Sequence, residues 1–136
     1  MAGFNSIAEM MQSCADDAGR QAREQFGFAL DYSDASIESL ETILAAICTS
    51  LDSSDQAAVE QAVKLWGSYL GETVRRVCGG SWELIQYPGR AAAVPTLVIG
   101  GSQLYPLMKV YRRLTMGEQE NVWKFYGRIR GKLSPV

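Results

Sequence analysis

The residues best spaced for chemistry lie in the stretch WGSYLGETVRRVCGGSWEL, Trp66 to Leu84. Within it, Glu72 stands one helical turn before Arg75 and Arg76. A glutamate at this spacing can pair with arginines of its own helix, and a buried glutamate can instead act as a general acid. The second role needs burial or another carboxylate, and Glu83 is the acidic residue that follows it along the chain.

Two interpretations of this stretch remain open. In the structural interpretation, Glu72 forms ion pairs with arginines of its own helix. Gly67 and Gly71, four residues apart, then allow the backbone of the sheet or of the final helix to pack closely against this helix. Each glycine costs about 1 kcal/mol relative to alanine inside a helix, so close packing is the natural compensation. In the ligand-site interpretation, the side chains line a concave pocket and the pKa of Glu72 is perturbed. The residues of that site are Tyr69, Glu72, Arg76 and Trp82.

Several familiar chemistries are not expected from this sequence. It contains no histidine, and Cys14, Cys48 and Cys78 form no CxxC pair, so no zinc site is predicted. Without histidine, neither a cysteine nor a serine has its usual activating base. The paired glycines match no phosphate-binding loop. We therefore expect no metal, no cofactor and no enzymatic activity, and we expect the cysteines to be small buried thiols.

The charges are unevenly divided along the chain. Residues 1–60 contain eleven acidic residues and two arginines, a net charge of −9, whereas residues 61–136 contain eleven basic and four acidic residues, a net charge of +7. Such a division indicates either that the halves attract each other in the fold or that one face presents acid to a basic partner. The candidate partner-binding acids are Asp16, Asp17, Asp31, Asp34, Glu38, Glu41, Asp52 and Asp55.

The C-terminal stretch is basic and aromatic, as nucleic-acid-binding surfaces are. Tyr111, Phe125 and Tyr126 nevertheless fall at core positions of the predicted helices, and the whole chain has an isoelectric point of about 5.1. Nucleic acid is therefore not an expected partner. Trp123 lies off the apolar stripe of its helix, where an exposed tryptophan would be an anchor for a protein partner.

Apolar residues at helical spacing predict five helices. The first is poor in large apolar residues, so we expect it to pack loosely or to dock on something else. Pro106 opens the fourth helix, and Thr115 with Glu118 forms a capping box that predicts the start of the fifth. The predicted helices span residues 6–25, 33–51, 55–77, 106–114 and 115–133.

Strands are predicted where apolar and polar residues alternate. The stretch FALDY, Phe28 to Tyr32, has this alternation, and so does SWELIQYP at residues 81–88. Val94 to Ile99 is a second good strand, which Pro95 indicates to be an edge strand. Residues 103–105 add a short third strand or lead directly into the fourth helix.

The order of these elements predicts an α+β fold, with about five helices packed around a two- or three-stranded antiparallel sheet. A single domain is expected over residues 1–136, with an N-terminal helix at 1–26 and an α+β core at 28–133. The N-terminus lacks the basic start and apolar run of a signal peptide, and no apolar run reaches the roughly 18 residues of a membrane span. A cytoplasmic protein is therefore expected.

Four pieces of the chain, in this order and spacing, resemble a family of small, largely uncharacterised bacterial domains. The resemblance covers about Leu30 to Tyr126 and leaves the N-terminal helix outside. The pieces are LDYSDASIESLE (Leu30–Glu41), LWGSYLGE (Leu65–Glu72), GGSWEL (Gly79–Leu84) and LYPLMKVYRRL (Leu104–Leu114).

The resemblance implies a stand-alone cytoplasmic protein, and some small bacterial proteins of this kind serve as immunity partners of secreted toxins. The first functional hypothesis is therefore a non-enzymatic immunity protein whose acidic surface covers a basic toxin domain. The alternative is a small-molecule-binding protein or enzyme with its site around Glu72. A structural subunit of an oligomer is a third possibility, and the sequence predicts no oligomeric state.

Overall fold

A computed structural model of the chain describes residues 6–133, so the ends of the predicted domain, residues 1–5 and 134–136, lie outside the described part. Within residues 6–133, five helices and one three-stranded antiparallel sheet confirm the α+β prediction. A π-helical turn, Ala22–Phe26, extends α1, and a 3-10 turn, Glu118–Glu120, precedes α5. The elements are α1 Ile7–Gln21, α2 Asp34–Ser50, α3 Gln56–Cys78, β1 Ser81–Gln86, β2 Ala93–Ile99, β3 Ser102–Leu104, α4 Pro106–Met116 and α5 Val122–Leu133.

Side-chain caps determine where the first three helices begin. The side-chain oxygens of Ser6, Ser33 and Asp55 accept hydrogen bonds from the backbone N–H three residues later. Such a cap satisfies one of the four amide groups that a helix start leaves unpaired, and it typically contributes about 1 kcal/mol. The predicted starts of these helices agree with the structure to within one residue.

The sheet has the strand order β1-β2-β3, so the prediction that Val94–Ile99 forms an edge strand is wrong. β3 pairs only with Leu97–Ile99, and Pro95 lies opposite Leu84 of β1. Pro95 is tolerated in a central strand because β3 does not extend to its position. The missing N–H of the proline therefore interrupts no β2–β3 hydrogen bond.

The first helix packs along α3, contrary to the expectation of loose packing. Met11, Ala15, Ala18 and Ala22 are all at most 1% exposed. Small residues compensate for their limited apolar area by letting two helix backbones approach closely, which preserves dense packing. The N-terminal helix is therefore part of the same hydrophobic core as the rest of the described chain.

The two glycines of α3 make the close contacts that the structural interpretation predicts. A Cβ atom at Gly67 would lie 2.7 Å from the Cα of Leu107 in α4. At Gly71 it would overlap the ring of Trp82 in β1 and lie 2.9 Å from Cγ of Pro106. The approaching elements are thus the sheet and α4, and not the final helix as the alternative prediction had it.

The stretch FALDY is not a strand. Its alternation is real, because Phe28, Leu30 and Tyr32 are half-buried while the two residues between them are exposed. A strand also requires a hydrogen-bonded neighbour. Among the described residues, this stretch has no such neighbour and connects α1 to α2 as irregular extended chain.

The capping box predicted at Thr115 and Glu118 does not form. The Thr115 hydroxyl instead donates to the Tyr111 carbonyl oxygen, 2.8 Å away and one turn back in α4. The helix therefore continues to Met116 and ends before Gly117. α5 begins only at Val122, where the side-chain oxygen of Asn121 accepts from Lys124 N at 3.1 Å.

Candidate functional site

Glu72 is fully buried, and both of its carboxylate oxygens are bound. Arg75 donates through Nε and Nη2 to the two oxygens at 2.9 and 2.7 Å. Arg76 Nε donates at 2.8 Å, and the indole Nε1 of Trp82 donates at 3.1 Å. Three of the four predicted ligand-site residues therefore meet at one carboxylate.

Helical spacing and two glycines bring these groups together. α3 presents Glu72 and the arginines at i, i+3 and i+4 on one face. Gly80, in the link between α3 and β1, has a φ of +109° and lies where a Cβ would be 2.7 Å from the Val98 carbonyl oxygen. The turn and the open space at Gly71 allow the ring of Trp82 to reach back onto α3.

Arg76 also contacts the loop before α2. Its guanidinium carbon lies 3.7 Å from the centroid of the Tyr32 ring. Tyr32 stacks on Tyr69 with centroids 4.9 Å apart and planes inclined by 25°, and its hydroxyl donates to Asp16 at 2.7 Å. Arg76 thus contacts the Glu72 carboxylate and an aromatic face at the same time, and both contacts stabilise this position of its side chain.

Tyr32 has a left-handed backbone, which is uncommon for a residue with a side chain. Its φ is +63°. The Tyr32 N–H donates to the Tyr69 hydroxyl at 2.8 Å, that hydroxyl donates to Ser36 Oγ at 2.7 Å, and Ser36 Oγ donates to the Ser33 carbonyl at 2.6 Å. This chain of bonds compensates for the unfavourable conformation, so Tyr69 connects α3 to the start of α2.

The surroundings of Glu72 keep it ionised. Burial alone raises the pKa of a carboxyl, but hydrogen bonds from the arginines and from Trp82 outweigh burial and bring the pKa of Glu72 below 4.5. Burial raises the pKa of Tyr69, and burial with the bond to Asp16 raises that of Tyr32. Near neutral pH the cluster therefore holds an ionised Glu72 paired with two arginines, beside two neutral tyrosines, and this arrangement does not favour proton transfer by Glu72.

The ligand-site interpretation predicts a pocket around these residues. Surface depressions of about 370, 570 and 560 Å³ are lined by residues other than Tyr69, Glu72, Arg76 and Trp82. Within residues 6–133, no fully buried side-chain nitrogen or oxygen lacks a hydrogen-bond partner. The cluster is therefore complete without a ligand, and the structural interpretation accounts for every contact of Glu72.

Glu41 is not available to a partner, which corrects its inclusion among the surface acids. It is 9% exposed, and Arg113 Nη2 lies 2.8 Å from its Oε2. Its Oε1 also accepts from the backbone N–H of Val122 at 2.9 Å, at the first residue of α5. A carboxylate is stabilised at a helix N-terminus, so Glu41 joins α2, α4 and α5.

Three of the predicted acids bond to Tyr32 or lie within two residues of it in the chain, and Glu38 lies one turn further along α2. Asp16 accepts from the Tyr32 hydroxyl, Asp31 precedes Tyr32 in the chain, and Asp34 and Glu38 occupy the first two turns of α2. All four are exposed. Asp34 also accepts hydrogen bonds from Tyr126 and Arg130. We call Asp16, Asp31, Asp34 and Glu38 the acidic corner.

The other predicted acids do not belong to this surface. Asp52 and Asp55 follow the far end of α2, about 25 Å from its start at 1.5 Å per residue. There they bond to Ser54 and to the Ala58 N–H, respectively. Asp17 pairs instead with an arginine of its own helix. The eight predicted acids therefore do not form one continuous face.

Trp123 is half-buried and packs against the core. Its ring stacks on Tyr126 with centroids 6.3 Å apart and planes inclined by 13°. Trp123 is therefore only partly exposed, and its role as an anchor for a protein partner stays a prediction. The helical wheel placed Trp123 off the main stripe, but it could not show that the edge of α5 also meets apolar neighbours.

Sequence reasoning missed Tyr32 and Ser36, which connect the cluster to α2, and the partnership of Arg113 with Glu41. One signal was present, because a serine at position 36 in an otherwise amphipathic helix needs a partner when it is buried. The partners themselves are 33 to 72 residues apart in sequence. No local pattern reports contacts at such separations.

Within residues 6–133, no helix is both long and apolar enough to cross a membrane, and no group of acidic residues and cysteines is arranged to hold a metal ion. The four sequence pieces that carry the family resemblance meet around Gly71, Glu72 and Glu41 in this fold. No protein-family model, curated protein or solved structure matches the chain.

Proposed function

We propose that this protein is a non-enzymatic protein-binding module, most concretely a cytoplasmic immunity protein that neutralises a cognate bacterial toxin through its acidic surface. One observation carries the proposal: the acidic half of the chain turns nearly all of its charge outward. Every acidic residue from Glu9 to Glu60 except Glu41 is exposed.

The basic half of the chain does not cancel this charge. Lys109 and Arg113 are buried, and Lys109 Nζ pairs with Glu120 of the same half at 2.9 Å. Ion pairs between the halves join Glu41 to Arg113 and Asp34 to Arg130. Mutual attraction of the halves therefore accounts for little of the uneven charge, which favours presentation of acid to a basic partner.

The acidic corner is the part of this surface best suited to recognition. Asp16 accepts a hydrogen bond from Tyr32 and Asp31 accepts one from Ser33, so these two exposed carboxylates are oriented by neighbouring side chains. Fixed charges of one sign speed the encounter with a partner of opposite charge and discourage other partners. A toxin domain that binds nucleic acid or nucleotides is basic around its active site, so covering that site would block it.

The test begins with the tagged protein immobilised and exposed to lysate of its native host at about 50 mM salt, where surface charges act over the longest range. A basic partner recovered at near-equal amounts is then expressed in a second host, alone and together with this chain. We expect the partner to stop growth and the chain to restore it. A captured partner whose activity is unchanged by the chain would contradict the immunity proposal.

Two matched variants locate the interface. The corner variant carries Asp16→Asn, Asp31→Asn and Glu38→Gln, which remove three charges and preserve hydrogen-bond acceptors. The control carries Glu24→Gln, Asp52→Asn and Glu60→Gln and loses the same charge elsewhere. We expect the corner variant to bind about tenfold more slowly at low salt and the control to bind nearly as fast as wild type. Equal rates for the two variants would exclude the acidic corner.

A further inference from the structure

A depression of about 570 Å³ lies between α1, the π-helical turn and the first half of α3. Its apolar lining includes Phe26 and Trp66, whose rings meet edge to face with centroids 6.1 Å apart and planes at 83°. Leu65 and Ile47 extend this lining. The volume is within the range of sites that bind small ligands, and the apolar floor suits one aliphatic side chain.

The backbone of α1 departs from α-helical geometry at this wall. Residues Ala22–Phe26 form a π-helical turn, and Gln25 and Phe26 from that turn line the depression. The wider turn changes the direction of the side chains that follow α1. Such turns are rare and often occur at functional sites.

Polar groups without protein partners surround the apolar floor. The side-chain amides of Gln21, Gln25 and Gln61 line the depression and bond to no described residue. Each amide can donate and accept at once, as a peptide group requires. Trp66 is 2% exposed, and its indole N–H also bonds to no described residue.

The lining of the depression contains one lysine that has no carboxylate partner in the described part of the chain. Asp17 at its rim is already paired with Arg20. Lys64, also in the lining, forms no ion pair with any described carboxylate. Burial raises the pKa of the Cys14 thiol, another lining residue, while Lys64 acts to lower this pKa and Asp17 acts to raise it, so both charges reach the depression.

We propose that this depression binds the C-terminal end of a polypeptide chain whose last side chain is apolar. The side chain lies on Phe26 and Trp66, the terminal carboxylate pairs with Lys64, and the preceding peptide groups bond to the glutamine amides. This proposal uses no residue of the acidic corner, so it stands or fails independently of the immunity function.

The test uses the peptide acetyl-Gly-Gly-Leu and its C-terminal amide as probes, each titrated into the ¹⁵N-labelled protein and followed by NMR. We expect the Trp66 indole and the glutamine amide signals to shift, with a Kd of about 1 mM for the acid. The amide, which lacks the charge, should bind about three- to fivefold more weakly. Equal binding of acid and amide, or shifts centred outside the depression, would overturn the proposal.

Variants separate the charge from the amides. Lys64→Gln should bind acid and amide equally, whereas the exposed control Lys124→Gln should retain the preference for the acid. The pair Gln25→Ala and Gln61→Ala should weaken both probes, and Gln119→Ala, which lies outside the depression, should leave both unchanged. A preference for the acid that persists in Lys64→Gln would show that another group binds the carboxylate and would overturn the assignment.

Discussion

The guanidinium carbon of Arg76 lies 3.7 Å from the Tyr32 ring centroid, while its Nε donates to the buried Glu72. Through this one residue, the end of α3 is attached to the loop that precedes α2. Of the acidic corner, Asp31 precedes Tyr32 in the chain, Asp34 follows it, and Asp16 accepts from its hydroxyl. The buried carboxylate therefore acts on the surface indirectly, because it holds the arginine on which the Tyr32 ring rests.

We expect Glu72→Gln to destabilise the protein by about 2–3 kcal/mol. The amide has the same shape but lacks the charge that attracts two guanidinium groups, and its NH₂ faces their N–H donors. Urea unfolding followed by tryptophan fluorescence measures the change. Glu83→Gln, an exposed residue on β1, is the matched control and should leave the unfolding midpoint unchanged. A midpoint for Glu72→Gln equal to that of the control would contradict the role assigned to the cluster.

Stability should fall in acid partly through Glu72. Because its pKa in the fold is below the ordinary 4.5, its contribution to the free energy of unfolding is fully present above about pH 4.5. The contribution is lost as the pH falls through the folded-state pKa. Asp34 and Glu120, whose pKa values are also lowered, act in the same direction. Urea unfolding from pH 7 to pH 3 should therefore show a smaller acid-dependent loss for Glu72→Gln than for wild type, and parallel curves would refute this contribution.

Two helical glycines should respond oppositely to alanine. In Gly71→Ala the new Cβ meets the Trp82 ring and Pro106, so we expect a loss of about 1–3 kcal/mol despite the better helix propensity. In Gly127→Ala of α5 the Cβ meets nothing within 4 Å, so we expect a gain of about 0.5–1 kcal/mol. Thermal unfolding of both variants measures the difference. Gly71→Ala as stable as Gly127→Ala would rule out the close approach of Trp82.

Glu41→Gln should loosen α5. The amide of the variant has no charge, so it binds Arg113 less strongly than the carboxylate does. Its oxygen is also a weaker acceptor for the Val122 N–H at the start of that helix. We expect a loss of about 2–3 kcal/mol and faster hydrogen exchange in the first turn of α5. Glu38→Gln, which lies one turn earlier on the exposed side of α2, controls for the change of charge. Exchange rates in α5 that match those of the control would contradict the anchoring role.

The helices were predictable because their signals are local. Ser33 and Asp55 each cap a helix through contacts three residues long, and Pro106 begins α4 by its own geometry. The capping box at Thr115 was wrong because its hydroxyl, which was predicted to accept from the Glu118 N–H, instead donates to the Tyr111 carbonyl. The packing of the whole helix decides which of two nearby backbone groups the hydroxyl bonds to, and the pattern does not contain that packing.

The composition of the candidate site was partly predictable, but its role was not. Glu72, Arg76 and Trp82 do meet, as the ligand-site interpretation required, yet their geometry is that of a satisfied structural cluster. Whether Glu72 would be open to a ligand depended on what covers it. Trp82 of β1 and the arginines of α3 bond to its carboxylate, and Tyr32, which lies far from α3 in sequence, packs on Arg76.

Local patterns predict the helices, the hairpin of β1 and β2, the close approach at Gly67 and Gly71, and the division of charge, because each depends on neighbouring residues or on simple counting. Which charges remain at the surface depends on the packing of distant elements. Glu41 and Glu38 are three residues apart on one helix, but only Glu41 faces Arg113. Burial is a property of the elements that pack on a residue, and those elements are brought there by contacts far apart along the chain.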